Sequence, residues 1–180
     1  NKYEGQWAND EREGKGCQIH SDGRRFEGTF RNDVPAGHGI LHIDTVGWRR
    51  GEKVIRYEGQ WDGGSINGLG SITVPGEYRY EGQLQNSVEE GQGIVTFENN
   101  TYKGSWKDGY YDGSGTFTLA NGNRYQGQHV KGKCSGKGVF TFADGWNWEG
   151  TWRDDASCGI GTWRAPARDL VAMDLEMLER

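Results

Sequence analysis

Tyr102-Lys103-Gly104-Ser105-Trp106 and, a few residues on, Gly113-Ser114-Gly115-Thr116-Phe117-Thr118-Leu119 decide the fold. By the period-two rule Tyr102, Gly104 and Trp106 fall on one face and Lys103 and Ser105 on the other. In the second stretch Gly113, Gly115, Phe117 and Leu119 share a face, and Ser114, Thr116 and Thr118 take its opposite. The pair predicts two short strands joined as a hairpin.

The unit recurs seven times. Its aromatic is Tyr3, Phe26, Tyr57, Tyr80, Tyr102, Tyr125 or Trp148. Each is followed two residues later by a glycine and eleven residues later by a Gly-x-Gly pair. A fixed period of this size signals a repeat array. The apolar phase after the glycine pair recurs in Leu41 and Ile43, Ile72 and Val74, Val95 and Phe97, and Phe140 and Phe142. The first unit departs, with Gln18 and His20 there, as expected of a terminal repeat. Asp22-Gly23, Asn121-Gly122 and Asp144-Gly145 separate successive units and predict tight turns. The inner-face glycines read as slots covered by neighbouring rings. The expected fold is all-β: an elongated, twisted, single-layer antiparallel sheet of about seven stacked β-hairpins over residues 1–165. About fourteen strands at ~4.8 Å each would extend roughly 60 Å.

Composition agrees. Hydrophobic residues are 33% of the 180, with 31 glycines and 3 prolines. Such a chain cannot fill one large core, but repeats that bury a face only against their neighbours do not need one. The net charge of -5 argues against nucleic acid as a partner and weakens attraction to anionic lipid. Cys17, Cys134 and Cys158 are an odd number, far apart, and read as free thiols of a reducing compartment. No apolar run approaches the ~20 residues of a membrane-spanning helix.

The period fails in two places. Aromatic spacings are 23, 31, 23, 22, 23 and 23, so about eight extra residues lie between Phe26 and Tyr57. This insert, about 44–56, carries Trp48, a candidate anchor, with Arg49, Arg50 and Lys53 to face an acidic partner. After Pro166 glycine disappears and helix formers dominate. Residues 166–180 read as a short amphipathic α-helix, its apolar arc including Leu170, Leu175 and Leu178. A helix this short must dock, on the last repeat, on the aromatic face or on another chain.

The unit Tyr-Glu-Gly-Gln-Trp, then Gly-Lys-Gly, then Asp-Gly resembles the MORN repeat (membrane occupation and recognition nexus). The resemblance runs from residue 3 to about 163. The seven-repeat form with an insert after the second repeat is especially similar to a MORN protein of animal sperm-forming cells. Leu84 and His129 replace the second aromatic in units four and six, and Trp148 opens unit seven. The resemblance implies a non-catalytic scaffold of a cytoskeletal assembly, ciliary or flagellar, in the cytoplasm. The expected partners are other proteins, cytoskeletal or ciliary, and a second copy of the chain. A membrane tether binding phospholipid head groups and a targeting domain of a larger enzyme are the alternatives.

No residue pattern predicts catalysis. Cys17 and His20 lack a second ligand pair for zinc, the Gly-x-Gly pairs open no helix, and no nucleophile elbow or phosphate loop occurs. Glu89-Glu90 and Asp154-Asp155 read as solvated turn residues. No cofactor or metal is expected. Partner-binding residues are expected along an open groove and where the period breaks: Trp48, Arg49, Arg50, Lys53, Tyr57, Trp61, Tyr80, Tyr102, Trp106, Tyr125, His129, Leu170, Leu175 and Leu178. Glu4, Glu27, Glu58, Glu81 and Glu149, each directly after the repeat's first aromatic, form either a solvated polar face or an acidic ridge for basic segments.

Overall fold

A computed structural model describes residues 1–44 and 54–166. Two units emerge, 1–98 and 99–180. The first holds β1 (Lys2–Ala8), β2 (Glu11–Ile19), β3 (Arg25–Arg31), β4 (Val34–Asp44), β5 (Val54–Asp62), β6 (Ser65–Val74), β7 (Tyr78–Gln85) and β8 (Val88–Phe97). The second holds β9 (Asn100–Lys107), β10 (Tyr110–Thr118), β11 (Arg124–Val130), β12 (Lys133–Thr141), β13 (Asn147–Arg153) and β14 (Ala156–Arg164). Within each unit strands pair antiparallel in chain order, so the all-β hairpin meander expected from the sequence is what forms. No helix occurs among the described residues. The expected C-terminal helix lies outside them, as do Trp48, Arg49, Arg50, Lys53, Leu170, Leu175 and Leu178.

A row of glycines sets the register. In unit 1 Gly5, Gly16, Gly28 and Gly39 stand opposite one another, then Gly39, Gly59, Gly70, Gly82 and Gly93. In unit 2 Gly104, Gly115, Gly127, Gly138 and Gly150 do the same. The opening ring of a repeat lies across this row. A methyl on Gly93 would meet Tyr80 at 2.5 Å, and one on Gly82 would meet both that ring and Gly93 itself at 2.5 Å. Tyr102, Tyr125 and Trp148 cover their glycines in the same way. The tyrosine hydroxyl then donates to the carbonyl three residues on: Tyr80 to Gln83 at 2.6 Å, Tyr102 to Ser105 at 2.9 Å, Tyr125 to Gln128 at 3.1 Å.

The first glycine of each Gly-x-Gly pair has a different task from the packing role expected of it. Gly14, Gly37, Gly68, Gly91, Gly113, Gly136 and Gly159 all have positive φ, between 63° and 103°, where a Cβ is strained. They shape a bulge inside the hairpin. Gly138 faces Gly127 and Ser135 faces Gln128, which leaves Gly136 and Lys137 without counterparts on β11. Toward the next repeat the ladder is regular, with Gly136 opposite Trp152.

Turns also differ from the expectation. The Asp-Gly and Asn-Gly pairs between repeats have positive φ only at the glycine, in loops closed by bonds such as Gly23 N–H to His20 O at 3.1 Å. The turns with two consecutive positive φ values, the type I′ signature, are the hairpin tips: Asn9-Asp10, Asn32-Asp33, Gly63-Gly64, Asn86-Ser87, Asp108-Gly109, Lys131-Gly132 and Asp154-Asp155. Glu98-Asn99 adopts the same pair of angles. Glu89-Glu90 is not a turn; it lies within β8, where Glu89 accepts a 2.8 Å bond from the Tyr78 hydroxyl.

Five tips each dock on the preceding repeat of their own unit. Asp33, Gly64, Ser87, Gly132 and Asp155 donate backbone N–H to the carbonyls of Arg12, Pro35, Ile66, Tyr111 and Cys134. Where the tip has a side-chain acceptor, the facing N–H uses it: Arg12 to Asp33 Oδ1 at 2.9 Å, Ile66 to Ser87 Oγ at 3.0 Å, Cys134 to Asp155 Oδ1 at 2.8 Å. Pro35 has no N–H to offer, and its tip carries Gly64, which has no acceptor to satisfy.

Candidate partner-binding faces

The two faces differ in what they leave accessible. On the aromatic face the expectation of open rings is corrected. Tyr80 and Tyr102 are fully buried, and Trp61, Trp106, Tyr125 and His129 nearly so. They are consumed by edge-on packing in which the second ring of one repeat meets the first ring of the repeat before. Phe30 meets Tyr3 at 5.1 Å, Trp61 meets Phe26 at 5.0 Å, His129 meets Tyr102 at 5.1 Å and Trp152 meets Tyr125 at 5.0 Å. Such pairs contribute about 0.5–1.5 kcal/mol each beyond area burial. Trp61 Nε1 also donates to Gly39 O at 2.9 Å, and Trp152 Nε1 to Gly138 O at 3.3 Å. A ring so engaged is not on offer to a partner without opening the sheet. Burial also raises the hydroxyl pKa values of Tyr80, Tyr102 and Tyr125.

Tyr57 stands apart. Ile66 and Leu84, not the Tyr57 ring, cover Gly59 and Gly70. The ring is half-buried, and burial, then the Glu89 charge, raises its hydroxyl pKa. The side chain beside the insert is thus released from the role its counterparts share. His129 is the other departure. Its imidazole sits among Tyr102, Tyr111 and Tyr125, with neither ring nitrogen in hydrogen-bond geometry. Burial holds its pKa below the ordinary value, against smaller opposing effects of the Gly113 backbone and Asp155. Opposite it, burial and then Asp155 push the Cys134 thiol up to about 12, so it is inert as a nucleophile.

The aromatic face does open toward β14. Phe140, Phe142, Trp148, Trp152 and Trp163 line a cup of about 130 Å³, with Phe142 stacked on Trp163 at 5.8 Å.

Two larger concavities lie on the opposite face. In unit 1 a trough of about 480 Å³ is lined by Glu4, Lys15, Cys17, Glu27, His38 and Ile40, among others. In unit 2 one of about 620 Å³ is lined by Lys137, Val139, Glu149, Ile160, Thr162 and Arg164, among others. The glutamates here do not make an acidic ridge. Each is neutralised by a basic residue two positions earlier, in Lys2–Glu4 at 2.5 Å, Arg25–Glu27 at 2.7 Å, Arg56–Glu58 at 2.6 Å and Arg79–Glu81, or from the next strand in Arg164–Glu149 at 2.9 Å. Sequence reading missed this because it compared one position across repeats and not two positions within one. Between these pairs apolar side chains stand in solvent. Leu69, inside a Gly-x-Gly pair, is 70% exposed, and Ile160, at the same position of the last repeat, 99%. Among the described residues no group of acidic, histidine or cysteine side chains has the geometry to hold a metal.

A family profile described as MORN repeat matches residues 3–23, 26–44, 57–73, 80–101, 102–124, 125–146 and 148–167. Its boundaries fall on the seven opening aromatics. Among curated proteins the chain is similar to Alsin of Rattus norvegicus, 28% identical over 93 residues, 52% of this chain and 6% of that protein. Alsin of Homo sapiens is 27% identical over 93 residues, again 52% of this chain and 5% of that protein. ALS2 C-terminal-like protein of Homo sapiens is 29% identical over 93 residues, 9% of its length. The chain spans less than a tenth of the curated relatives it matches.

Proposed function

The chain belongs to the MORN-repeat family, and from that premise we propose that it is a non-catalytic protein-interaction scaffold that binds partner segments along the face opposite its aromatic rings. One observation carries the reading. In each unit that face sets an exposed aliphatic side chain, Leu69 or Ile160, near a locally neutralised ion pair. Exposed apolar groups framed by polar ones mark interaction surfaces. The paired charges supply direction and register without a net field, which suits an extended segment of alternating apolar and charged residues better than a strongly basic or acidic one. A cytoskeletal assembly, ciliary or flagellar, as the site of action is part of the proposal and rests on the family resemblance alone.

The test is affinity capture from cells that contain the protein, comparing wild type with Leu69→Glu and with Ile160→Glu. Both side chains are exposed, so folding should be unchanged by circular dichroism. The reading expects loss of a common set of partners in one or both variants. Capture of the same partners by both variants would overturn it.

A second reading has its own observation. The match to Alsin covers only a small part of that much longer protein, so an array of this kind can serve as an interaction region within a larger chain. The membrane alternative predicts salt-sensitive binding to phosphatidylserine vesicles. Arg25, Arg56 and Arg79 are each paired with a glutamate, which argues against it.

A further inference from the structure

β1 and β14 are unlike the other strands in one respect. Each is paired on one side only among the described residues, and each displays the groups that the other strands bury. Trp7 is 59% exposed although its counterparts Phe30, Trp61 and Trp106 are buried. It lacks the preceding repeat's opening ring, against which Phe30 and Trp61 pack. Trp163 is 58% exposed. Ser157 is exposed, and it occupies the position from which Arg12, Ile66 and Cys134 engage the next repeat's tip.

We propose that β14 of one molecule receives β1 of a second copy of this chain, continuing the ladder head to tail. The register is the one used at every junction between repeats within each unit. Gly161 would face Gly5 of the second copy as Gly16 faces Gly28, Gly39 faces Gly59, Gly70 faces Gly82, Gly115 faces Gly127 and Gly138 faces Gly150. Trp7 of the second copy then lies over Gly159, where nothing stands within 4 Å of an added methyl, and edge-on to Trp148. Trp163 comes beside Tyr3 of the second copy. The Asp10 tip, with the same left-handed angles as Asp33 and Asp155, donates its N–H to Ser157 O and accepts from Ser157 N–H. The one opposed contact is Arg164 facing Lys2, and each already has its own glutamate, Glu149 and Glu4. A second copy is the occupant because both halves of the junction are present on this chain and match in ring order, glycine row and tip chemistry. Neither edge strand carries an internal proline, a device that sheets use to block such growth. The contact is heterologous, so each added copy leaves one open end of each kind. The inference rests on the ladder alone, not on the scaffold reading.

Two variants of the full chain test it by sedimentation velocity over a range of concentrations. Trp7→Glu with Asp10→Gly blocks the β1 end. Ser157→Pro with Trp163→Glu blocks the β14 end, and a proline at that position already exists as Pro35 in β4, so the hairpin should still form. The wild type is expected to grow beyond a dimer as concentration rises. Each variant alone should be monomeric, and an equimolar mixture should give a heterodimer that grows no further. A wild type that stays monomeric overturns the proposal, including the case in which residues 167–180 cover β14. So do variants that self-associate as the wild type does, or a mixture that stays monomeric with both variants folded by circular dichroism.

Discussion

At the scale of the residue, two glycines that look alike in the sequence have different requirements. Gly93 must lack a side chain because Tyr80 lies on it, whereas Gly159 has open space but a φ of 76°. Gly93→Ala should therefore destabilise through overpacking, by about 1–3 kcal/mol. Gly159→Ala should cost about 1–2 kcal/mol through backbone strain alone. Changing Gly159 to Asn instead, a residue that tolerates left-handed angles, should recover much of the second loss, and Gly93→Asn should recover none of the first. Chemical denaturation of the four variants checks this. His129 gives a pH prediction. Its pKa is lowered on folding, so as pH falls below about 6.5 the unfolded chain takes up the proton first. Stability is level above that value and declines below it until the folded ring itself protonates. His129→Phe, which restores a ring of the Phe30 kind, should flatten the fall in melting temperature between pH 7 and pH 5. An equal fall in both proteins would show that other groups govern it.

At the scale of the element, the hairpin was legible because its signals are local and period-two: Tyr102, Gly104 and Trp106 name a face without reference to anything distant. What could not be read was which contacts the hairpin makes. The rings of Tyr80 and Trp61 fit both an open groove and a packed ladder, because alternation reports a face and not what covers it. Asp154-Asp155 was legible as a turn, but the docking of the tips was missed for a related reason. Asn-Asp and Asp-Asp are less diagnostic of a type I′ turn than Asn-Gly, and their importance comes from docking on the repeat before. Asp33 anchors the tip at one junction: it accepts from the Arg12 backbone and guanidinium at 2.9 Å each, and its carbonyl accepts from Arg12 Nη2. The Arg12 backbone N–H, then its guanidinium, holds the Asp33 carboxyl below its usual range. Asp33→Gly keeps the left-handed turn but removes the carboxylate. It should weaken protection of the β2–β3 amides in hydrogen exchange several-fold, because the bonds to Arg12 are lost. Amides of β11–β12 should not change.

At the scale of the whole molecule, stability should behave as a sum over nearest neighbours and not as one cooperative core. Within each unit a repeat contacts the next through rings, glycine row and tip, so damage should spread only to adjacent repeats. Tyr102→Phe, which removes the bond to Ser105 O, should cost about 1 kcal/mol, confined to unit 2. A uniform loss of protection in both units would contradict the nearest-neighbour picture. Function was far less legible than architecture. The repeat, which dominates the sequence, is spent on holding itself together, and the residues free to specify anything are single substitutions such as Leu69, Tyr57 and Ile160.

Pro35 facing Gly64 has a consequence for how such a gene can change. Units that share their rings and glycines invite unequal recombination, and many exchanges would join two compatible surfaces. An exchange that brought an aspartate tip against Pro35 would leave that carboxylate without its backbone donor, and one that set Gly64 beside Arg12 would strip the arginine of its carboxylate. This matched pair therefore penalises reshuffling at the junction of the second and third repeats.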